Sequence, residues 1–323
     1  MLSIIIPVYN GEKYINECLN SIIKEIKNKK EIQIIIINDG SSDKTKEIIE
    51  AIEYENLKIY NNENKGVAYS RNFAIEQADG EYIMFVDADD ILMNNWYRDI
   101  LDVIKIMKLD VIYYNSKIKK TNKEMMIKYV FGNNNEHICI AGPVSKIYKK
   151  DFINQNKIRF KEELINGEDM IFNFEVLLKS NNYIVINKDY YMYRQALGTS
   201  TKRFNPKFFE SDKKFHSYLK KIIDENNMNN NELIEFCRMG GLYSTIDRVG
   251  YTSNFYEFKK YIKEIDRKFY LEDLNYEYLN NKLKKIIVKF YVKKMYILLF
   301  FVEKAKIIYM KSKEKNRDIF KKG

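Results

Sequence analysis

Proline, cysteine and long apolar runs are scarce in this chain, and each scarcity excludes a class of protein. The 323 residues include 3 Pro, 3 Cys, 2 His and 1 Trp. So little proline is typical of a helix-rich chain. Cys18, Cys139 and Cys237 lack the spacing of disulfide pairs or of metal ligands, which predicts reduced thiols in a cytosolic protein. No run approaches the roughly 18 apolar residues of a membrane-spanning helix. Met1 to Ile4 lack the basic start of a signal peptide, so we expect no secretory leader.

Positive charge is concentrated at the end of the chain. The net charge is +10, yet residues 282–323 hold 14 Lys and Arg against 3 Asp and Glu. The preceding 281 residues therefore carry a net charge of −1, and we expect no nucleic acid partner. Hydrophobic residues at 46% and charged residues at 31% are typical of a globular protein.

Apolar runs alternate with helical patterns through the first eighty residues, which predicts a sheet of parallel strands with right-handed crossovers. The predicted order is strand 3–10, helix 11–27, strand 32–37, helix 44–53, strand 57–60 and helix 66–78. Later segments predict helix 94–108, strand 111–115, helix 170–179, an edge strand at 190–193 and helices from about residue 206 onward.

Three carboxylates follow the apolar run Tyr82 to Val86, which has the length of a buried central strand. They therefore emerge at the carboxyl end of a strand, where open α/β sheets bind ligands. Asp87 and Asp89 are two residues apart and point the same way on an extended backbone. Such a pair favours a hard divalent cation carried by a phosphate ligand. The alternative is a solvated acidic turn.

Five short motifs occur in one order, and together they resemble the family-2 glycosyltransferases, inverting enzymes that use nucleotide sugars. The motifs are Pro7 to Asn10, Asn38 to Asp43, Gly66 to Asn72, Asp87 to Asp90, and Gly167 to Asp169. The resemblance covers roughly residues 1–200. It implies a Rossmann-like GT-A domain at 1–205 with a mixed, mainly parallel sheet, followed by a helical C-terminal region at 206–323.

The resemblance also implies a donor site for a UDP-sugar. Pro7, Val8 and Tyr9 would lie against the uracil ring, and an aromatic ring can stack on a base. Asp39 would accept the base imide N–H, and Arg71 would lie near the base or the diphosphate. Asp87 and Ala88, in the family's DXD motif, would contact the ribose or metal side of the nucleotide. Asp89 would bind Mn²⁺ or Mg²⁺ at the diphosphate.

The acceptor side of the implied site depends on two acidic residues at a predicted helix start. Asp169 would be the general base that removes a proton from the acceptor hydroxyl, and Glu168 would lie beside it. The alternative is helix capping, because acidic residues stabilise helix N-termini. Arg194, with Tyr193 and the loop at 198–201, would close on the diphosphate.

Missing motifs narrow the predicted function. Processive polysaccharide synthases carry Gln-x-x-Arg-Trp, whereas Trp96 lies outside such a pattern, so we expect addition of a single hexose or N-acetylhexosamine. The predicted acceptor is a lipid-linked precursor of a surface glycan such as capsule or lipopolysaccharide. A dehydrogenase is disfavoured because no G-x-G-x-x-G follows a strand. A nucleotidyltransferase would need a basic Gly-rich loop after strand one. A non-catalytic scaffold of the same fold remains the alternative function.

The basic segment 282–323 predicts a membrane-associating tail. Projected as one helix, seven lysines from Lys282 to Lys315 fall within one third of the circumference, and apolar side chains such as Ile297 and Phe301 lie elsewhere. This pattern is typical of an interfacial helix on anionic lipid, so we expect a protein on the inner face of the cell membrane. The alternative is a helix packed in the core with a solvated lysine face.

Overall fold

The structure, a computed structural model, divides into two compact units. One unit comprises residues 1–163 with 168–195, and the other comprises 164–167 with 196–323. The described residues are 1–26, 30–119, 121–132, 140–194, 204–228, 230–272 and 274–320. Cys139 and the predicted loop at 198–201 lie outside them. Cys18 and Cys237 are buried free thiols.

Nine described strands build the first unit, and the apolar side chains of the first two explain why these strands lie inside the sheet rather than at its edge. The strands are β1 Leu2–Val8, β2 Ile32–Asn38, β3 Leu57–Asn61, β4 Tyr82–Phe85, β5 Ile91–Leu92, β6 Val111–Tyr114, β7 Lys146–Lys149, β8 Tyr183–Ile186 and β9 Tyr191–Met192. Every residue of β1 and β2 is buried, as their unbroken apolar runs predict for strands covered on both faces.

The main sheet has the strand order β3-β2-β1-β4-β7-β6-β8. Strands β1 to β4 are parallel where they pair, as are β6 and β8, whereas β7 runs antiparallel to β4 and β6. The predicted mixed, mainly parallel sheet is therefore confirmed. The predicted edge strand at 190–193 differs, because β9 pairs with β5 in a separate two-stranded sheet.

Seven helices accompany these strands among the described residues of the first unit. They are α1 Ile15–Ile26, α2 Thr45–Glu50, α3 Val67–Gln77, α4 Trp96–Ile106, α5 Lys123–Phe131, α6 Lys150–Gln155 and α7 Glu168–Lys179. α1 begins later than predicted because Tyr14 N–H donates to the Gly11 carbonyl in a turn. α5 was not predicted, since the pattern of its segment is mixed. β8 was not predicted either, although its four residues form a short apolar run.

An aromatic stack fixes α7 against the end of β4. The rings of Phe160 and Phe172 are parallel, with centroids 4.0 Å apart, and Phe85 meets both rings edge-on at 5.5 and 6.2 Å. All three side chains are buried. Such aromatic pairs add about 0.5–1.5 kcal/mol each beyond the area they bury. The carboxyl end of β4 and the start of α7 are thereby held together.

The second unit is helical in its described part. Its helices are α8 Phe208–Glu225, α9 Asn231–Val249, α10 Phe255–Glu264, α11 Arg267–Leu271, α12 Lys282–Val292 and α13 Tyr296–Phe320, with a 3-10 turn at Tyr276–Tyr278. The buried core includes Leu242, Ile246, Phe258, Tyr291 and Leu299. Nowhere in the described residues does a helix combine the length and the hydropathy needed to cross a bilayer.

The basic tail is two helices rather than one. The helix is interrupted between α12 and α13, where Lys294 has a φ of 57° and Met295 N–H donates to the Phe290 carbonyl at 2.9 Å. A single helical projection from 282 to 315 is therefore wrong. Within α13 the orientation also differs from the prediction. Lys304 Nζ donates to the Gly250 carbonyl at 3.1 Å, and Phe301 is 63% exposed.

Candidate functional site

The loops after β1 and β2 are tied to each other at the carboxyl edge of the sheet. Asn10 N–H donates to Ser41 Oγ at 2.9 Å, and Gly11 N–H donates to Thr45 Oγ1 at 2.8 Å. A Cβ on Gly11 would lie 2.5 Å from a Val8 methyl carbon, so this close approach requires glycine. Of the predicted base platform, Pro7 and Val8 are buried, and Tyr9 is 53% exposed. The Tyr9 ring is thus available to a ligand at this edge.

Asp39 orders the loop that begins α3. Its Oδ1 accepts from Lys65 N–H and its Oδ2 accepts from Gly66 N–H, both at 2.8 Å. Gly66 has a φ of 93°, a conformation that favours glycine. Each carboxylate oxygen keeps a second lone pair, so Asp39 could still accept a base imide N–H. Its contact with a base stays a prediction.

One buried guanidinium joins three of the predicted site residues. We refer to Arg71, Asp87, Glu168 and Asp169 as the Arg71 cluster. Arg71 Nη1 donates to Asp169 Oδ1 at 2.6 Å and lies 3.9 Å from Glu168 Oε1, and Nη2 donates to Asp87 Oδ1 at 3.0 Å. Arg71 is 4% exposed, and its carboxylate partners lie 16 to 98 positions away in sequence. The end of β4 and the start of α7 therefore share one cation.

This position gives Arg71 a structural task that the sequence did not indicate. The predicted contact of Arg71 with the base or diphosphate stays a prediction, while its Nη1 and Nη2 donate to carboxylates. Asp169 lies in the first turn of α7, as helix capping would also place it. Its side chain is 29% exposed, and no donor among the described residues reaches its Oδ2. One carboxylate oxygen is thus held by Arg71 and the other is open.

Burial raises the pKa values of both acidic residues at the start of α7. Burial and the neighbouring Asp169 raise the pKa of Glu168 to about 7. Burial also raises the pKa of Asp169, although Arg71 and Lys146 oppose the shift by favouring the ionised carboxylate. Lys146 lies buried on β7, where its Nζ donates to the Val144 carbonyl at 3.3 Å. Sequence reasoning missed Lys146, because nothing in its local pattern points to Asp169.

The Asp87–Asp90 turn is fastened to β9 by two residues with no predicted role. Asp90 N–H donates to the Asp87 carbonyl at 3.0 Å, and Asp90 itself accepts from Tyr191 Oη and from Arg194 N–H, each at 2.7 Å. Tyr191 Oη also accepts from Asp87 N–H at 3.0 Å. Burial raises the pKa of Asp90 to about 6. Asp90 and Tyr191 therefore position the turn that carries Asp89.

Arg194 lies at the same turn, and its predicted closure on the diphosphate stays a prediction. Its Nε donates to the Asp89 carbonyl at 2.9 Å, and its guanidinium pairs with Glu17 at 2.7 Å. The guanidinium carbon also lies 5.2 Å from the centre of the Tyr14 ring. Glu17 on α1 and Tyr14 in the turn before it were not predicted to contact Arg194, since a surface acid and an aromatic residue carry no distinctive signal.

The donor set at Asp87 and Asp89 fits a hard divalent cation. The described residues contain no group of three or more His, Cys, Asp or Glu side chains able to hold an ion by themselves. Mg²⁺ is usually bound by one or two carboxylates together with substrate phosphates and water. Burial and Asp87 raise the pKa of the partly exposed Asp89, so a cation beside it would favour its ionised form. Asp89 could therefore hold a cation once a diphosphate supplies further oxygens.

We expect Tyr191→Phe to destabilise the protein by about 1–3 kcal/mol, because it leaves Asp87 N–H and Asp90 without their shared hydroxyl. Nucleotide binding should weaken as well, since the Asp87–Asp90 turn loses its attachment. Chemical denaturation and UDP titration would measure the two effects. Tyr190→Phe is the matched control, because the Tyr190 hydroxyl donates to Asp99, away from the turn. Equal nucleotide affinity in both variants would contradict the positioning role of Tyr191.

The fold and this edge of the sheet define a GT-A domain, in which carboxylates follow the central parallel strands. The sequence profile described as Glycosyl transferase family 2 matches residues 3–177, more than half of the chain. The chain belongs to this family, as the five motifs predict.

Curated relatives agree with the family assignment. The poly(ribitol-phosphate) beta-N-acetylglucosaminyltransferase TarS of Staphylococcus aureus (strain MW2) is 33% identical over 201 residues, covering 59% of this chain and 35% of TarS. EpsH of Bacillus subtilis (strain 168) is 30% identical over 244 residues, covering 70% of each protein. The matched segment thus spans about a third of the length of TarS.

Solved structures share the fold. S. aureus TarS 1–349 in complex with UDP-GlcNAc superposes with a TM-score of 0.59 at 23% identity, covering 94% of this chain and 91% of that one. The mannosyltransferase PcManGT from Pyrobaculum calidifontis, in complex with GDP-Man and Mn²⁺, gives a TM-score of 0.51 at 10% identity, covering 94% and 83%. At these identities the likeness concerns the fold alone.

Proposed function

We propose that this protein is an inverting glycosyltransferase that moves a single hexose or N-acetylhexosamine from a UDP-sugar to a hydroxyl of a surface-glycan acceptor. The observation that carries the proposal is the Arg71 cluster. It links the Asp87–Asp90 turn, the proposed donor side, to Asp169, the proposed base, through one buried side chain. Transfer needs these two sides close together, because the acceptor hydroxyl must attack the anomeric carbon of a bound donor.

The donor would bind at the carboxyl edge of the sheet. Tyr9 offers an exposed ring for the uracil, and Asp39 retains acceptor capacity for the base imide. Asp89 would hold Mn²⁺ or Mg²⁺, which when bound would stabilise the negative charge of the departing UDP. Arg194 lies at the Asp89 carbonyl, within reach of the same region. These residues bind and orient the donor while its diphosphate becomes the leaving group.

Asp169 would take the proton of the acceptor hydroxyl at its open Oδ2. Arg71 holds the other carboxylate oxygen, which fixes the rotamer of Asp169. Burial raises the pKa of this carboxyl, which strengthens it as a base near the working pH. Glu168, with a pKa of about 7, could carry a proton and so donate a hydrogen bond to the acceptor.

The proposed acceptor is a lipid-linked precursor of a surface glycan. Two curated relatives are named for glycosyl transfer to poly(ribitol phosphate), among them a beta-glucosyltransferase of Bacillus spizizenii that is 31% identical over 208 residues. These names support a surface polymer as the class of acceptor. A lipid-linked acceptor would also require access to the inner face of the membrane, where we propose that the protein lies in the cytoplasm as a peripheral protein.

The test of the donor site is calorimetric titration of UDP, with and without Mn²⁺. We expect Mn²⁺ to strengthen binding to the wild type and to have no such effect on Asp89→Ala. Asp102→Ala is the matched control, because Asp102 is an exposed carboxylate on α4, outside the site. Absence of UDP binding to the wild type under both conditions would favour the non-catalytic scaffold. If Asp89→Ala kept the metal dependence, Asp89 would not be the metal ligand.

A further inference from the structure

A basic pocket lies in the second unit, and none of its lining residues belongs to a motif that the proposed function uses. It has a volume of about 810 Å³ and lies where α10 and the start of α11 meet the break between α12 and α13. Its walls carry Lys259, Lys263, Arg267 and Lys294, and none of the described residues that line it is acidic. The remaining lining side chains are apolar or aromatic, with Phe255 at one side and residues 295–298 at the other.

The four cations are placed without neutralising partners. Lys259 and Lys263 are one helical turn apart and share a face of α10. In the described part of the chain, neither they nor Lys294 forms an ion pair. Arg267 is held in place because its Nη1 and Nη2 donate to the carbonyls of Tyr291 and Val292 at 3.2 and 3.0 Å. Four like charges around one cavity repel one another, and an anion between them would relieve the repulsion.

An exposed apolar stripe continues from the rim of this pocket along α13. Ile297 is 61% exposed, Phe301 63% and Ile308 66%. Their spacing of four and then seven residues places them on one side of the helix. The opposite side is the buried one, where Leu299 is fully buried. Isolated apolar residues on a surface need no explanation, but a continuous stripe beside a cationic pocket marks a docking surface.

The pocket and the stripe are joined by packing between α10 and α13. Phe300 packs edge-on against Phe255 and Phe258 of α10, with ring centroids 5.4 and 5.3 Å apart. This packing fixes the lysine face of α10 beside the start of α13. We call the pocket lysines and Arg267, together with the α13 stripe, the α10–α13 surface.

We propose that the α10–α13 surface docks on the anionic phospholipid bilayer, with lipid phosphates in the basic pocket and the α13 stripe among the upper acyl chains. Interfacial helices bind in this way when apolar side chains and lysines lie side by side. Charge complementarity favours a phosphate-bearing surface over an ordinary protein partner. The proposal deepens the peripheral location given under the proposed function and rests on it. It differs from the predicted tail, because Lys259, Lys263 and Arg267 precede residue 282.

The test is co-sedimentation of the full chain with vesicles of phosphatidylglycerol or of phosphatidylcholine. We expect binding to phosphatidylglycerol alone. Lys259→Ala with Lys263→Ala should weaken it by about 25-fold, since each surface lysine contributes about fivefold. Lys220→Ala with Lys221→Ala is the matched control, because these α8 lysines are exposed but lie outside the pocket. Equal loss in both pairs would show general charge attraction and overturn the assigned pocket.

Insertion of the α13 stripe into the bilayer can be measured separately. In Ile297→Trp, the fluorescence added to that of the buried Trp96 should shift to the blue on phosphatidylglycerol vesicles. Phe301→Ser should weaken vesicle binding while leaving circular dichroism unchanged. Vesicle binding without a fluorescence shift would overturn insertion of the stripe. A dimer in light scattering that dissociates in Phe301→Ser would assign the stripe to a second copy instead. Tight binding of soluble glycerol phosphate would assign the pocket to a free phosphate compound.

Failure of this proposal is separable from failure of the proposed function. UDP titration reports the Asp87–Asp90 turn in the first unit, and we expect it to be unchanged in every α10–α13 variant. Vesicle binding without UDP binding would remove the transferase proposal and leave the surface. UDP binding without vesicle binding would overturn the proposed docking of the α10–α13 surface and leave the transferase proposal.

Discussion

Asp169→Asn should leave UDP binding intact and lower glycosyl transfer by about 10²–10⁴-fold, the usual contribution of a general base. Asparagine has nearly the same shape and keeps an oxygen that can accept from Arg71, so the Arg71 cluster should retain its geometry. It cannot take a proton from the acceptor hydroxyl. Calorimetry with UDP and a transfer assay with a UDP-sugar would measure the two quantities separately.

A matched substitution separates lost basicity from lost charge at a helix start. Asp151→Asn removes an exposed carboxylate from the first turn of α6, as Asp169→Asn does from the first turn of α7. We expect wild-type transfer from Asp151→Asn. The wild-type rate should also fall as the pH decreases, because burial raises the pKa of Asp169 and the protonated carboxyl is inactive. Wild-type turnover in Asp169→Asn would leave helix capping as the role of this residue.

Arg71→Met should be the most destabilising of the substitutions, lowering the free energy of unfolding by about 3–5 kcal/mol. Methionine fills much of the volume but leaves Asp87, Glu168 and Asp169 facing one another without a cation. Removing one partner of a buried ion pair costs more than the pair itself contributes, because a buried charge is left uncompensated. Urea denaturation monitored by circular dichroism would measure the change.

Two further variants test whether uncompensated negative charge causes the loss of stability in Arg71→Met. Arg98→Met removes an exposed arginine from α4 and should change stability by less than about 0.5 kcal/mol. Arg71→Met combined with Asp87→Asn should recover part of the lost stability, since it removes one of the facing carboxylates. If the double variant is as unstable as the sum of the two single changes, the Arg71 cluster is not an electrostatic unit.

The sequence was informative where a local pattern decides the structure. The apolar run before Asp87 predicts a buried strand that ends in carboxylates, and β4 has this arrangement. The alternation of strands and helices likewise predicts the parallel half of the sheet. In each case the structure is decided by the spacing of apolar residues and by turn residues that lie within about ten positions of one another in sequence.

The rest depends on contacts between distant segments. Asp169 is 98 positions from Arg71, and Tyr191 is 101 from Asp90, so neither pairing leaves a local pattern. In the tail, a local pattern was present but did not decide the structure. The lysines recur at helical spacing, yet the helix is interrupted at Lys294. The helical projection assumed an unbroken axis, and tertiary packing turned Lys304 inward.

The crowding of acidic groups at the carboxyl edge also affects how a nucleotide could arrive. Asp87, Asp89, Asp90, Glu168 and Asp169 outnumber the two guanidiniums and the buried Lys146 beside them. If the donor binds here as proposed, a diphosphate without a cation would be repelled on approach and would associate slowly. A nucleotide already complexed with a divalent cation would meet less repulsion. We therefore expect the acidic edge to favour, through the association rate, the cation-bound form of the nucleotide.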